Sequence, residues 1–185
     1  MRRTPLVLAV LAVAACDGRG RLINPTYARG RVLNEHNLTV GQRLDAGPMH
    51  CDPAGEAIFP GHARLKVVTF TTPDDCTQCL QHLLGLESLA SEDTLVGSGY
   101  YLVSVPARDV EAALRGYRAW TQRRVCFDTS GVIWRSSGIA NTPVTVLLES
   151  GVVRYMVDAP LESQRARALL RQDVAAVVQQ IGAGR

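Results

Sequence analysis

The sequence is poor in aromatic residues and in clustered charge. Only 5% of its 185 residues are aromatic, four are His, and 20 Lys and Arg against 17 Asp and Glu leave a formal charge of +3. No basic cluster with interleaved aromatic residues is present, so nucleic-acid binding is not expected. Repeats and low-complexity segments are also absent, and 46% hydrophobic residues suffice for a packed core. We therefore predict a single folded domain.

The apolar stretch from Leu6 to Ala15 is too short to cross a bilayer as a helix. It follows the basic pair Arg2-Arg3 and ends in small residues before Cys16, in a pattern that resembles a bacterial lipobox. We predict a signal peptide over residues 1–15, a lipid on Cys16 and a tether over residues 16–37. The lipid would hold the protein to a membrane facing the periplasm or the outside of the cytoplasmic membrane. The alternative is an ordinary cleaved secretory signal.

Four cysteines remain beyond the leader: Cys51, Cys76, Cys79 and Cys126. An even number of cysteines in an exported domain permits disulfides. The spacing of Cys76-Thr-Gln-Cys79 makes this the obvious pair. Cys51 and Cys126 form either a second, structural bridge or two buried thiols, because sequence separation does not give the distance between their Cα atoms.

The Cys-Thr-Gln-Cys pair lies where a predicted strand is followed by a helix. The strand covers Leu65 to Phe70, Thr71 to Asp75 break it with a proline and two short acids that can cap a helix, and the helix ends near Ala90. Its apolar side is predicted to carry Leu80, Leu83, Leu84 and Leu86. Backbone N–H groups at the start of a helix favour a thiolate, which makes Cys76 a candidate nucleophile. Cys79, three residues later, lies on the same face and can resolve a mixed disulfide.

The rest of the chain alternates strand and helix patterns. We predict a hairpin over Pro48 to Phe59, a strand from Tyr100 to Val105, a helix from Pro106, a strand from Val125 to Phe127, a turn-rich connection from Asp128 to Ile139, a hairpin from Val144 to Val157 and a helix from Leu161 to Ile181. This order predicts an α/β sandwich, a central mixed β-sheet flanked by helices with an N-terminal β-hairpin extension.

Residues 38–185 resemble the thioredoxin-like fold, specifically its exported redoxin branch (TlpA-like, related to AhpC/TSA). The matching segments are Val40-Gly41-Gln42, the Asp52 to Ile58 hairpin, the strand with Cys76-Thr-Gln-Cys79, Asp128 to Gly131, and Gly138 to Gly151. A zinc site also uses this cysteine spacing, but it would need a second pair of ligands, which is absent. No metal is expected.

The resemblance implies a thiol–disulfide oxidoreductase that needs no bound organic cofactor. Cys76 would attack, Cys79 would resolve, and the backbone at Thr142 would position the partner beside a cis Pro143. The implied partners are thiols and disulfides of exported proteins and a membrane redox partner. The alternative for Pro143 is a trans proline that starts an edge strand.

This sequence departs from the family at three positions. Asp75 replaces the Trp that usually precedes the first cysteine, Phe70 replaces a buried acid, and His82 stands where one branch has an acid. His82 either moves protons during exchange or is a solvated or capping histidine. The carboxylates of Asp74 and Asp75 oppose a thiolate at Cys76, so we expect a more reducing pair than in strongly oxidising relatives.

A non-catalytic binding module of the same fold is the competing function, with Cys76–Cys79 as a structural remnant. A peroxidase would need Thr or Ser three residues before its reactive cysteine, where Pro73 precedes Cys76. A copper site would need a histidine downstream of the pair, and all four histidines lie at or before the predicted helix. Met49-His50-Cys51 places soft ligands side by side, but neighbouring strand residues point to opposite faces.

Overall fold

The structure, a computed structural model, describes residues 37–44, 47, 49–53, 65–92 and 99–183. The predicted signal peptide, Cys16 and the tether up to residue 36 lie outside these residues, as does the second arm of the predicted N-terminal hairpin. The elements in chain order are β1 (His50–Asp52), β2 (Leu65–Thr71), α1 (Thr77–Ala90), β3 (Tyr100–Val103), α2 (Val110–Arg118), β4 (Arg124–Phe127), α3 (Val132–Ser137), β5 (Val144–Glu149), β6 (Val152–Val157) and α4 (Gln164–Ala183). None of the described helices is long and apolar enough to cross a membrane.

The six described strands form one mixed sheet in the order β1-β4-β3-β2-β5-β6. β2, β3 and β4 are parallel to one another, while β1 pairs antiparallel with β4 and the β5–β6 hairpin continues antiparallel from β2. β2 thus lies inside the sheet, where its side chains are buried on both faces. The predicted mixed sheet flanked by helices is confirmed.

Alternate side chains of β2 contact different cores. Val68 and Phe70 pack with Leu38, Leu44 and Ile133, from the start of the described chain and from α3. Val67 points to the other face, in the cluster that contains apolar residues of α1 and α4. A third cluster joins Leu83 of α1 to the buried side of α2. Because alternate residues of β2 point to opposite faces of the sheet, α1, α2 and α4 pack on one face and α3 packs on the other.

Several predicted boundaries change in the structure. Residues 128–139 were expected to form a turn-rich connection but contain α3, which begins after Gly131 in the left-handed region, with φ 68°. The Asp128 carboxylate accepts a hydrogen bond from the Trp134 backbone N–H at 2.9 Å and one from the Ser130 hydroxyl, and these contacts organise the start of this short helix. The strand expected to reach Val105 ends at Val103.

Two helix starts also differ from the sequence prediction. Pro106 is followed by a single 3₁₀ turn, Ala107–Asp109, before α2 begins. The last helix starts at Gln164, whereas Leu161 is fully buried in the core ahead of it. The first arm of the predicted N-terminal hairpin is present as β1, and its described partner is β4.

Candidate active site

The two cysteines of the central motif lie at the junction of β2 and α1. Cys76 is the N-cap residue of α1, in extended backbone geometry, and its carbonyl accepts the Leu80 N–H at 2.9 Å. The N-cap position is occupied by Cys76, whose side chain makes no capping hydrogen bond, and not by an acid, so the expectation that the preceding acids cap the helix is wrong. Cys76 is exposed at the start of the helix, where the N–H groups of a first turn favour negative charge.

The Cys76 and Cys79 sulfur atoms are in contact as two thiols, with Sγ atoms 2.9 Å apart. A disulfide bond is about 2.05 Å long, so closing it needs an approach of roughly 0.9 Å. Cys79 is only partly exposed. Burial, the hydrogen bond with Cys76 and the negative charge of Asp75 raise the pKa of Cys79 to about 11. The geometry thus presents one accessible sulfur and one shielded sulfur.

The loop before β5 lies against the shielded cysteine. The Thr142–Pro143 peptide bond is cis, as the family resemblance implies. The Cys79 thiol donates a hydrogen bond to the Thr142 carbonyl oxygen at 3.2 Å, across 63 residues of sequence. The structure therefore brings Cys76, Cys79, Thr142 and Pro143 together at one place.

Asp75 connects the two halves of this site. Its carboxylate accepts hydrogen bonds from the Thr72 backbone N–H at 3.2 Å and the Thr72 hydroxyl at 2.8 Å, and also from the hydroxyls of Thr71 and Thr142. The sequence suggested only a capping or repelling charge at this position. The threonines three and four residues earlier are a local signal for the contacts to Thr72 and Thr71, whereas Thr142 is 67 residues away and gives none.

His82 is buried, with 1% exposure, and the prediction of a solvated or capping histidine is wrong. Its Nδ1 donates to the Ala159 carbonyl at 2.9 Å, and its Nε2 lies 3.1 Å from the Thr145 hydroxyl. Burial lowers the pKa of His82 below 6.5, although the Ala159 carbonyl and the charges of Asp158 and Asp75 oppose this shift. His82 is therefore a neutral residue of the interior near neutral pH.

Cys51 and Cys126 form a disulfide between directly opposed residues of β1 and β4, so the bridge is the alternative that the structure contains. β3 separates β4 from β2, so this bridge belongs to another part of the sheet than Cys76. Arg118 reinforces the same corner, with its guanidinium 2.8 Å from the Asp52 carboxylate. Within the described part of the chain, no cluster of three His, Cys, Asp or Glu side chains could hold a metal ion.

A cavity of about 490 Å³ lies beside the cysteine pair, between the start of α1 and helix α2. Its walls are mostly apolar and include Leu80, Val105 and Trp120, with Asp75 and Asp109 as the acidic groups. Leu80 is 42% exposed and Leu84 is 51% exposed, so the prediction that all four leucines of α1 face the core is wrong for these two. This cavity could not be predicted from the sequence, because its walls come from separate elements.

No family model matches the sequence, and no curated protein matches it. Among solved structures, the Chlorobium tepidum protein named thiol:disulfide interchange protein DsbE is similar with a TM-score of 0.53 and 15% identity, over 76% of this chain and 99% of its own.

Two further structures have lower TM-scores. The thioredoxin domain of a thiol-disulfide oxidoreductase from Bacteroides vulgatus has a TM-score of 0.48 and 13% identity, over 74% of this chain and 98% of its own. A secreted Mycobacterium tuberculosis disulfide oxidoreductase, homologous to E. coli DsbE, has a TM-score of 0.45 and 20% identity, over 61% of this chain and 81% of its own. With the sheet order and the similarity to the Chlorobium protein, the chain has the thioredoxin-like fold.

Proposed function

We propose that this protein is a thiol–disulfide oxidoreductase that acts on disulfides of exported proteins through Cys76 and Cys79. One observation carries the proposal: an exposed thiol at a helix N-terminus lies 2.9 Å from a second, shielded thiol. A solvent-accessible sulfur can reach a partner's disulfide, and a neighbouring sulfur can release that partner again. The Chlorobium relative of the same fold bears the name of such an enzyme.

The exchange takes two steps. The Cys76 thiolate attacks one sulfur of the partner's disulfide, forms a mixed disulfide and releases the partner's other sulfur as a thiolate. Cys79 then loses its proton, and its sulfur attacks Cys76 Sγ. This breaks the mixed disulfide and releases the partner's second thiolate. The partner gains two electrons, and the Cys76–Cys79 pair becomes the disulfide.

The oxidised pair must be reduced before another turnover, and we propose that a membrane redox partner supplies the electrons. Every covalent bond in the cycle is between sulfur atoms, so Cys76 and Cys79 carry it without a bound organic cofactor. In the oxidising direction the same two steps run in reverse.

The site also offers places for a partner protein beside Cys76. We propose that the backbone at Thr142 and Pro143 positions the partner segment that carries the disulfide. The shielded position of Cys79 supports this division of roles, since only Cys76 is exposed to an incoming protein. The two ring nitrogens of His82 bond to the Ala159 carbonyl and the Thr145 hydroxyl and not to a cysteine, so its proposed contribution to proton transfer is indirect.

We further propose that the thioredoxin-like domain covers residues 38–185 and is held to a membrane outside the cytoplasm by a lipid on Cys16. The lipobox-like sequence before Cys16 supports this placement. The disulfide between Cys51 and Cys126 also suits an oxidising compartment. Mass spectrometry of the membrane-bound protein would detect a lipid-modified Cys16, and a Cys16→Ser variant would be released from the membrane.

Reduction of insulin disulfides by the domain tests the proposed activity. We expect turnover with dithiothreitol as electron donor, and its complete loss in Cys76→Ser. Cys79→Ser should instead accumulate a mixed disulfide with insulin, visible as a mass adduct on Cys76, because resolution is blocked. If the folded wild-type protein shows no insulin reduction and Cys79→Ser forms no adduct, the result would contradict an oxidoreductase and favour the non-catalytic binding module.

A further inference from the structure

The Asp75 carboxylate is held by donors from two separate parts of the chain. Thr71 and Thr72 lie at the end of β2, and Thr142 lies in the loop before β5. Each carboxylate oxygen accepts two hydrogen bonds: Oδ2 from Thr71 and the Thr72 N–H, and Oδ1 from the Thr72 and Thr142 hydroxyls. Because four hydrogen bonds hold its two oxygens, the Asp75 side chain has little rotational freedom.

The strand side of this arrangement is rigid. Thr71 is fully buried, and its hydroxyl accepts a hydrogen bond from the Tyr117 hydroxyl of α2 at 3.1 Å. Asp75 is therefore fixed to the interior on one side, and it holds Thr142 on the other. Since Thr142 is the residue whose carbonyl accepts the Cys79 thiol, Asp75 is joined to Cys79 through one intervening residue.

This connection acts on one protonation state of Cys79. A carbonyl oxygen can only accept a hydrogen bond, so it stabilises the S–H form and offers nothing to a thiolate. Burial and the side-chain contact with Cys76 raise the pKa of Cys79, the negative charge of Asp75 adds to this rise, and the hydrogen bond from the Cys76 backbone opposes it. Cys79 must lose this proton before it can attack Cys76 Sγ.

We propose that Asp75 is a positioning residue that slows the second exchange step, because its carboxylate fixes Thr142 and the Thr142 carbonyl retains the proton on Cys79. This inference rests on the proposed function, in which Cys79 resolves a mixed disulfide on Cys76. The consequence is a long-lived mixed disulfide between Cys76 and the partner, in which the partner's own second thiolate can reverse the first step. The usual residue at this position in the family is Trp, which has no carboxylate to hold Thr142 in this way.

Reaction of the reduced protein with the chromogenic disulfide DTNB, which releases thionitrobenzoate, measures both steps without a protein substrate. Attack by Cys76 releases one thionitrobenzoate, and attack by Cys79 on the resulting mixed disulfide releases a second. We expect the second phase at pH 7.5 to be roughly 3 to 10 times faster in Asp75→Ala, since a fall of one unit in pKa gives ten times more thiolate but a weaker nucleophile. Thr142→Val, which loses the hydroxyl and keeps the carboxylate, should give a smaller increase.

The double variant tests whether Asp75 acts through Thr142. If it does, Asp75→Ala with Thr142→Val is no faster than Asp75→Ala alone; independent, multiplying effects would overturn that connection. Asp74→Asn removes a neighbouring exposed charge and is the matched control, with an unchanged second phase. A second phase in Asp75→Ala that is unchanged or slower, in a variant with a wild-type circular dichroism spectrum, would overturn the proposal.

The DTNB phases also separate this inference from the proposed function. Absence of insulin reduction together with a faster second phase in Asp75→Ala would refute the physiological activity and leave the role of Asp75 intact. Insulin reduction with an unchanged second phase would do the opposite. The pH profile of the second phase adds a readout that a merely structural defect would not move: its midpoint should shift to lower pH in Asp75→Ala.

Discussion

The imidazole of His82 and the hydroxyl of Thr145 lie 3.1 Å apart in the interior between α1 and the sheet. Because Nδ1 donates to the Ala159 carbonyl, a neutral His82 accepts at Nε2, and Thr145 is the donor. Thr145 is also 3.0 Å from the Thr69 hydroxyl, so Thr69 donates to Thr145 in turn. Three buried polar side chains thus satisfy one another, in an order that depends on an uncharged imidazole.

The first prediction concerns stability below neutral pH. The pKa of His82 is lower in the folded protein than its ordinary 6.5, so the unfolded chain binds the proton more tightly. The stabilisation is fully present above pH 6.5 and decreases as the pH falls towards the folded pKa, by at most about 1.4 kcal/mol per pH unit. Urea unfolding between pH 5 and 7.5 measures this slope. His82→Gln should flatten it, and the exposed His50→Gln should leave it as in the wild type; equal slopes in all three proteins would refute the assignment.

The second prediction is a reducing Cys76–Cys79 couple. A thiolate beside the Asp75 carboxylate is stabilised less, which weakens the preference for the reduced state. We expect a reduction potential closer to the about −270 mV of thioredoxin than to the about −120 mV of a strong oxidant such as DsbA. Titration against glutathione or dithiothreitol buffers gives the value. Asp75→Asn should make it less negative by about 10–30 mV, and a wild-type potential at the oxidising end would contradict the argument.

The third prediction separates the Cys51–Cys126 disulfide from the redox pair. The bridge closes 75 residues of chain, and Cys126 is fully buried in the core. Replacing both cysteines by Ala should lower the free energy of unfolding by about 4 kcal/mol, mainly by freeing the unfolded chain. Urea unfolding gives that difference, and insulin reduction by the folded variant should persist. Loss of activity with an unchanged fold would show that this bridge takes part in the exchange.

The fourth prediction concerns Gly85 of α1. A Cβ atom at this position would lie 2.5 Å from the Leu161 Cβ and 2.6 Å from its carbonyl oxygen. Gly85→Ala should therefore destabilise the protein by about 1–3 kcal/mol. Gly116 of α2 is the matched control, because a Cβ there would meet nothing within 4 Å. Gly116→Ala should instead stabilise by up to about 1 kcal/mol, and thermal unfolding of the two variants should move in opposite directions.

The sequence predicted those features that depend on neighbouring residues. The strand–cysteine–helix order, the end of α1 at Ala90 and the β5–β6 hairpin over a tight turn all follow from local patterns of apolar and turn residues. Helix α3 escaped prediction because it has only six residues and lies between two glycines of positive φ. The start of α3 depends on the hydrogen bond from the Trp134 N–H to the Asp128 carboxylate, which cannot be predicted from hydrophobic periodicity.

The interior of the site depends on contacts between distant parts of the chain. The burial of His82 could not be predicted, because its partners Thr145 and Ala159 are 63 and 77 residues away in the sequence. The same holds for Asp75: its contacts with the neighbouring Thr71 and Thr72 could be expected from the sequence, whereas its contact with the distant Thr142 could not. The family resemblance supplied the cis proline, which local sequence left open.

The two edges of the described sheet affect whether copies of this protein can pair with one another. At one margin β1 is only three residues long and is fastened to β4 by the Cys51–Cys126 bond. At the other, residues 41–44 pair with the first part of β6, and Tyr155, Met156 and Val157 farther along it are buried. Exposed strand edges are where proteins join into extended aggregates. The short, bridged β1 and the paired start of β6 thus limit edge-to-edge joining between copies of this protein along the described sheet.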